Sequence, residues 1–374
     1  MVGVVQSTGF FLMLLSMLVS GKLSERYGRK KMILFGTIMF IAGFAVLYFG
    51  RTLPFLIIGS MLAYGGFGFL DPSWVASIAE NTNEKNSGLV YGLTFFFFFF
   101  GSIIGSLLVS LLESNPTVEI IGLGSNAAFY FLIGMGILFL EGLIQLVFLN
   151  EKAVFQRKSH EQIKKQKKIW RVYFHDKALR RLLIFFVLDA FVWGNAIQLY
   201  YTSLLSVDKG FGITQGQLAL YVVLVVNVAN LVFQIPAGKL IDKIGSKKGF
   251  LISEYFGLLY LLLNIVTWFL PRDYLIPMLI ISQIAWGLMI VPWLPAQNKI
   301  ISRVYPERTA EIYGFMNFAR NILWFGAGYL AGWNLGTFGF LGPMIVGVVG
   351  VVVEIVYIYA FIDEKKLLNL TAVV

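Results

Sequence analysis

Eleven stretches of this chain are long and apolar enough to cross a bilayer as helices, and no other feature constrains its fold as tightly. They lie at about 3–20, 32–50, 54–79, 88–112, 126–149, 181–205, 214–237, 249–270, 274–301, 311–333 and 340–362. About 18–25 apolar residues rising 1.5 Å each span a hydrocarbon layer of about 30 Å. Inside that layer every backbone N–H and C=O must be satisfied within the protein, so the options are helices or a closed barrel. Barrel strands would be about 10 residues long with alternating polarity, and these runs do not alternate. The expected fold class is therefore an all-α membrane protein. Composition agrees: of 374 residues, 58% are hydrophobic and 13% charged, against about 25% charged in a soluble domain.

The formal net charge is +10. When alternate loops are assigned to opposite sides, 26 of the 30 Lys and Arg fall in one set: 21–31, 80–87, 150–181, 238–248, 299–310 and 363–374. The other set holds Arg51, Lys209 and Arg272, and Arg320 lies within an apolar run. The positive-inside rule assigns the first set to the cytoplasm. The basic balance is then a topological and lipid-headgroup signal, and no nucleic-acid partner is needed. Eleven crossings with a cytoplasmic C-terminus place Met1 outside, in a multi-pass protein of the plasma membrane. The first run lacks the basic n-region of a cleaved leader, and its positive charge follows it in GKLSERYGRKK, Gly21 to Lys31.

That segment returns as GKLIDKIGSKK, Gly238 to Lys248, at an offset of 217. Tyr91-Gly92 answers Tyr313-Gly314 at 222, Pro72 answers Pro295 at 223, and Glu141 answers Glu354 at 213. Ordered landmarks at nearly one offset indicate an internal duplication. The expected organisation is a bundle over 1–149, a basic cytoplasmic linker over 150–180, and a second bundle over 181–374 with a short tail. About 30 linker residues are too few for a soluble domain.

The chain has no Cys and two His, His160 and His175, both in the polar loop. No HExxH occurs and no ligand cluster of His or Cys lies in an apolar run, so an embedded metalloenzyme or hydrolase is not expected. No GxxxxGK[ST] loop occurs either, which argues against ATP-driven pumping. The reading is not an enzyme, with no cofactor and no metal.

The repeated hairpin carries a resemblance. It is similar to the signature loop of major facilitator superfamily transporters: Gly, three residues, an acid, a basic residue, any, Gly, any, two basic residues. Gly21, Glu25, Arg26, Gly28, Lys30 and Lys31 match with Glu for the usual Asp; Gly238, Asp242, Lys243, Gly245, Lys247 and Lys248 match fully. The resemblance covers almost the whole chain and implies two pseudo-symmetric helix bundles, twelve helices rather than eleven, alternating access around a midplane site, and a monomer in the bilayer. It also implies that the hairpin acid helps hold the outward-facing state. In the family this loop joins the second and third helices, whereas here it joins the first and second, so the family's first helix has no counterpart. An upstream start is the preferred explanation; a truncated, non-transporting scaffold or sensor is the alternative of another class.

By the same resemblance, three of the runs line a substrate cavity. They offer Asp71 and Trp74; Asp189, Trp193 and Gln198; and Gln283, Trp286, Trp293 and Gln297. A flanking run adds Asn317, Arg320 and Asn321. Charges near the bilayer centre are costly and need a partner, water or a function. Arg320 is expected to pair with an acid, and Asp71 or Asp189 to take up a proton; a fixed ion pair between elements is the alternative. Glu141, Glu254 and Glu354 fall on runs the family places at the periphery, where packing or hydrogen bonding is expected. The aromatic stripes suggest a proton-coupled multidrug efflux antiporter of amphipathic compounds, with a sugar or organic-ion porter as alternative. Ser106 after Gly105 departs from the proline that family antiporters carry there. Gly101 and Gly105 are expected to make a close helix contact, and Pro277, Pro292 and Pro295 to break one helix.

Overall fold

In the computed structural model the described residues are 2–50, 52–83, 85–113, 126–149, 173–304 and 308–368. Eleven long helices stand where the apolar runs lie: α1 (Val2–Tyr27), α2 (Arg29–Phe49), α3 (Leu53–Asn81), α4 (Ser87–Glu113), α5 (Asn126–Phe148), α6 (Lys177–Ile197), α9 (Leu224–Ile244), α10 (Ser246–Phe269), α11 (Leu275–Val304), α12 (Thr309–Phe338) and α13 (Leu341–Phe361). Short helices α7 (Tyr200–Leu205), α8 (Gln215–Leu218) and α14 (Glu364–Leu368) fill the connections, and α8 passes through a π turn, Ala219–Val223, into α9. Among the described residues no strand occurs, and nine helices are long and apolar enough to cross a membrane.

Close packing divides the chain into two units. One comprises Met1–Asn81, Leu111–Val172 and Ile301–Phe318; the other comprises Thr82–Ser110, Tyr173–Ile300 and Ala319–Val374. In the first, α3 packs along both α1 and α2, and α2 along α5. In the second, α13 packs along α6 and α10. The units do not follow the sequence halves: most of α4 belongs with the second unit, and the first turns of α12 with the first. Linker residues 150–172, with His160, lie outside the described residues.

Three expectations are corrected. Helix α6 begins at Lys177 rather than 181, because the Asp176 carboxylate accepts the Leu179 N–H at 2.7 Å and caps the first turn. Helix α11 is unbroken from Leu275 to Val304. Pro277 sits in its first turn, where a missing N–H has no intrahelical partner to lose, and Pro292 and Pro295 are carried inside it. Gly101 and Gly105 make no close helix contact among the described residues: a side chain at either would meet nothing of these within 4 Å. Of the phenylalanine run beside them, Phe97, Phe98 and Phe100 are exposed and Phe99 is buried, as expected of a helix with a wide lipid face.

Candidate functional site

The two hairpins share a turn that only glycine takes easily. Gly28 has φ 101° and Gly245 φ 85°, in the region where a Cβ is strained. The first glycine of each motif serves helix approach instead. A Cβ on Gly21 would collide with the Ala310 carbonyl at the start of α12, and one on Gly238 with the Gly88 carbonyl at the start of α4. Lys30 Nζ donates to the Leu146 carbonyl at 2.7 Å, and Lys247 Nζ to the Tyr359 carbonyl at 3.2 Å. Each pair thus ties the start of one helix to the end of another, at matching places in the two repeats. Arg26, Lys31, Lys243 and Lys248 are exposed.

Both hairpin acids are held by partners. Asp242 accepts the Gly88 N–H and the Leu89 N–H, both at 2.9 Å, and pairs with Lys299 at 3.0 Å. A carboxylate at the first turn of α4 satisfies two orphan donors and meets the positive end of the helix dipole. Glu25 pairs with Arg29 at 3.0 Å, and Arg29 with Glu80 at 2.7 Å.

Within the second unit a polar network surrounds Arg320. Its Nη2 lies 3.0 Å from Asp189 Oδ2, its Nη1 donates to Gln297 Oε1 at 3.3 Å, and its guanidinium carbon stands 5.7 Å from the centre of the Trp293 ring. Trp293 Nε1 donates to the same Gln297 oxygen at 3.0 Å. Asp189 is 1% exposed at its side chain and Arg320 21%, so the cation is reachable and its counter-ion is not. The expected pairing of Arg320 with an intramembrane acid is present in the geometry, with Asp189 as partner.

The other candidates divide. Gln283 donates to the Tyr200 hydroxyl at 3.0 Å, and that hydroxyl donates to Asn264 at 2.7 Å. Gln198 caps α6, and its amide occupies the space that the missing side chain of Gly328 leaves. Trp193 and Trp286 meet with their planes tilted by 52° at 5.1 Å between ring centres, beside Tyr260, and Trp293 packs among Phe185, Phe186 and Phe250. Trp193 and Trp293 are buried in these clusters, so neither ring lies open to a ligand. In the first unit Asp71 is half-buried and shares a side-chain hydrogen bond with Tyr313, Trp74 is half-buried and Asn317 buried. Asn321, in the second, is half-buried.

Glu141 accepts from Gln145 at 2.7 Å, whose amide oxygen accepts from Thr37 at 2.8 Å. At the repeat-related places stand Glu354 and Glu254, and these converge on Asp189: one oxygen from each of the three lies within 4.8 Å of the others. The sequence signal was a single recurrence, Glu141 answering Glu354 at an offset of 213. The convergence of Glu254 and Glu354 with Asp189 depends on how three helices turn towards one another, which spacing does not specify.

The comparisons agree with this architecture. The family model described as Major Facilitator Superfamily matches residues 1–328 and 194–371, and the chain belongs to that superfamily. No curated protein matches the sequence. Among solved structures, the human organic anion transporter MFSD10 (TETRAN) superposes with a TM-score of 0.75 at 13% identity, over 95% of this chain and 83% of that one. A variant of the E. coli fucose:proton symporter FucP gives 0.73 at 14%, over 96% and 90%. The proton:xylose symporter XylE bound to 6-bromo-6-deoxy-D-glucose gives 0.74 at 16%, over 96% and 86%. The chain is therefore an all-α, multi-pass membrane protein with the superfamily fold, from a family of transporters.

Proposed function

We propose that this chain is a secondary transporter that moves a small organic anion together with a proton by alternating access. The observation that carries the reading is the Asp189–Arg320 pair, with its buried carboxylate and its partly exposed guanidinium. A free guanidinium is a fork that matches a carboxylate. While Asp189 is ionised it competes for that fork; a proton on Asp189 removes the competitor and leaves Arg320 free for the anion. Solute and proton then bind in concert and travel in the same direction.

The same geometry favours an organic-ion porter over a multidrug exporter, since Trp193 and Trp293 are spent on packing. A proton-coupled sugar symporter and an organic anion transporter among the structural neighbours fit this choice. The two-bundle division at 150–180, the cytoplasmic placing of the basic loops in the plasma membrane and a monomeric state belong to the proposal. So does the role of the Asp242 contact in holding the state open to the outside.

The test is uptake into proteoliposomes under an imposed pH gradient, with panels of labelled carboxylic acids, neutral sugars and lipophilic cations. Saturable acid uptake that rises with the gradient, and that R320Q weakens at least about tenfold in apparent affinity, a difference of about 1.4 kcal/mol, is the expected result. Uptake of a sugar or a cation with R320Q at wild-type affinity would discard the anion reading. Acid uptake indifferent to the gradient would discard the proton.

A further inference from the structure

Glu254 on α10 and Glu354 on α13 are both 0% exposed, and none of their four carboxylate oxygens has a hydrogen-bond partner among the described residues. Each contributes an oxygen to the triad with Asp189 on α6. An independent observation points to the same spot. The indole N–H of Trp193, a residue 1% exposed, is also without a hydrogen-bond partner, and it lies beside Glu254. Small residues hold the three helices together here. A Cβ on Gly257, three residues from Glu254, would collide with the Trp193 ring, and one on Gly350, four residues before Glu354, with Val192.

The charges that face the cluster are Asp189, Glu254, Glu354 and the guanidinium of Arg320. Three carboxylates against one cation leave two negative charges in excess. Unpaired charges buried in this way neutralise rather than persist. Two protons balance the count, and so does one divalent ion. A hard ion such as calcium takes 6–8 oxygens. Three carboxylates supply at most six, and one of these already lies on Arg320. Protons need neither the space nor the coordination number.

We propose that Glu254 and Glu354 form a proton-storing carboxyl pair, set behind the Asp189–Arg320 ion pair and feeding it. With both Glu protonated, Asp189 ionised and Arg320 charged, the cluster is neutral. Transfer of one proton from Glu254 to Asp189 breaks one O–H bond and forms another, leaving Glu254 ionised and Asp189 neutral. The net charge of the cluster stays zero. Arg320 loses its counter-ion at Asp189 and is released without any proton arriving from bulk water at that step. The Trp193 N–H is placed to donate to Glu254 when that carboxyl ionises. What the released guanidinium then binds rests on the proton-coupled anion reading; the stored protons do not.

The test is infrared difference spectroscopy of the purified full chain in lipid nanodiscs, as bulk pH is stepped from neutral to alkaline. The wild type is expected to show a carboxylic-acid C=O band at neutral pH that converts to carboxylate. E254Q/E354Q, shown to be folded by its helical circular dichroism, is expected to lose the pair's share of that band. E354Q alone is expected to retain a single carboxyl at a shifted frequency, and it decides the matter if the double variant does not fold. An undiminished band in the folded variant overturns the proposal. So does loss of the band at constant pH on adding calcium or sodium chloride, which would make the cluster a metal site. Solute flux is not read in this experiment. Failure of the anion reading leaves the wild-type band and its loss in E254Q/E354Q in place, and failure of the proton store leaves the band unchanged in E254Q/E354Q whatever solute is carried.

Discussion

The Oδ1 of Asp242 accepts the backbone N–H of Gly88 at 2.9 Å, across 154 residues of sequence. One carboxylate thereby closes the first turn of a helix from the other repeat, and the same side chain holds Lys299. D242N keeps one acceptor but presents an N–H donor where Leu89 also donates, and it removes the negative charge that faces Lys299. Removing one partner of a buried hydrogen bond costs about 1–3 kcal/mol. We expect D242N to shift the protein towards the alternative state, read as increased thiol labelling of cysteines placed on the basic-loop side in this cysteine-free chain. Unaltered labelling on both sides would remove Asp242 from conformational control.

The turn glycine of the second hairpin is constrained twice. Gly245 has φ 85°, and a Cβ there would press on the Glu364 carboxylate, which accepts the Ser246 and Lys247 N–H groups at 2.8 and 3.0 Å. With ψ at 166° as well, this backbone is open essentially to glycine alone, and such conformations cost other residues about 1–3 kcal/mol, while loss of a helix cap costs about 0.5–2 kcal/mol. G245A is expected to lower the unfolding temperature of the purified protein more than E364Q does, because it disturbs turn and cap together. Equal losses would mean that the strain is absorbed and only the cap matters.

The hairpins were legible because a tight basic turn dictates its own local chemistry: glycine where φ is positive, and lysines beside the carbonyls that end the neighbouring helices. Gly28, Gly245, Lys30 and Lys247 could be picked out from spacing alone. The partners of Asp242 could not, since the helix start it caps is fixed by how distant helices dock. The tryptophans misled for a related reason. Helical spacing says that Trp286 and Trp293 share one side of α11, but not whether that side meets solvent or other rings. Glu254 and Glu354 were visible as acids within apolar runs, Glu354 at the place that answers Glu141. That they meet Asp189 is a property of α6, α10 and α13 packed together.

Helix approach at the first hairpin glycine has its own test. A side chain at Gly238 would meet the Gly88 carbonyl and the Leu89 backbone, neither of which can rotate aside. Overpacking of this kind costs about 1–3 kcal/mol. G238V is expected to push α9 off the start of α4 and so to weaken the Asp242 cap as well. G238V and D242N together should then cost less than the sum of the two. Additive losses in unfolding temperature would show that the two contacts are independent.

The Asp189–Arg320 pair predicts non-additivity of larger size. Removing one member of a buried pair strands the other, at about 3–5 kcal/mol, whereas removing both is often close to neutral. D189N leaves the Arg320 guanidinium held by Gln297 and the Trp293 face alone. R320Q leaves the Asp189 carboxylate, 1% exposed at its side chain, with no cation, which is the worse defect, since the guanidinium that D189N strands is 21% exposed and can reach water. The expected order of unfolding temperatures is wild type, then D189N/R320Q, then D189N, with R320Q lowest. If R320Q matched D189N, the difference in burial between the two partners would not matter to the pair. If the double variant lay below both singles, the pair would not be acting as an ion pair at all.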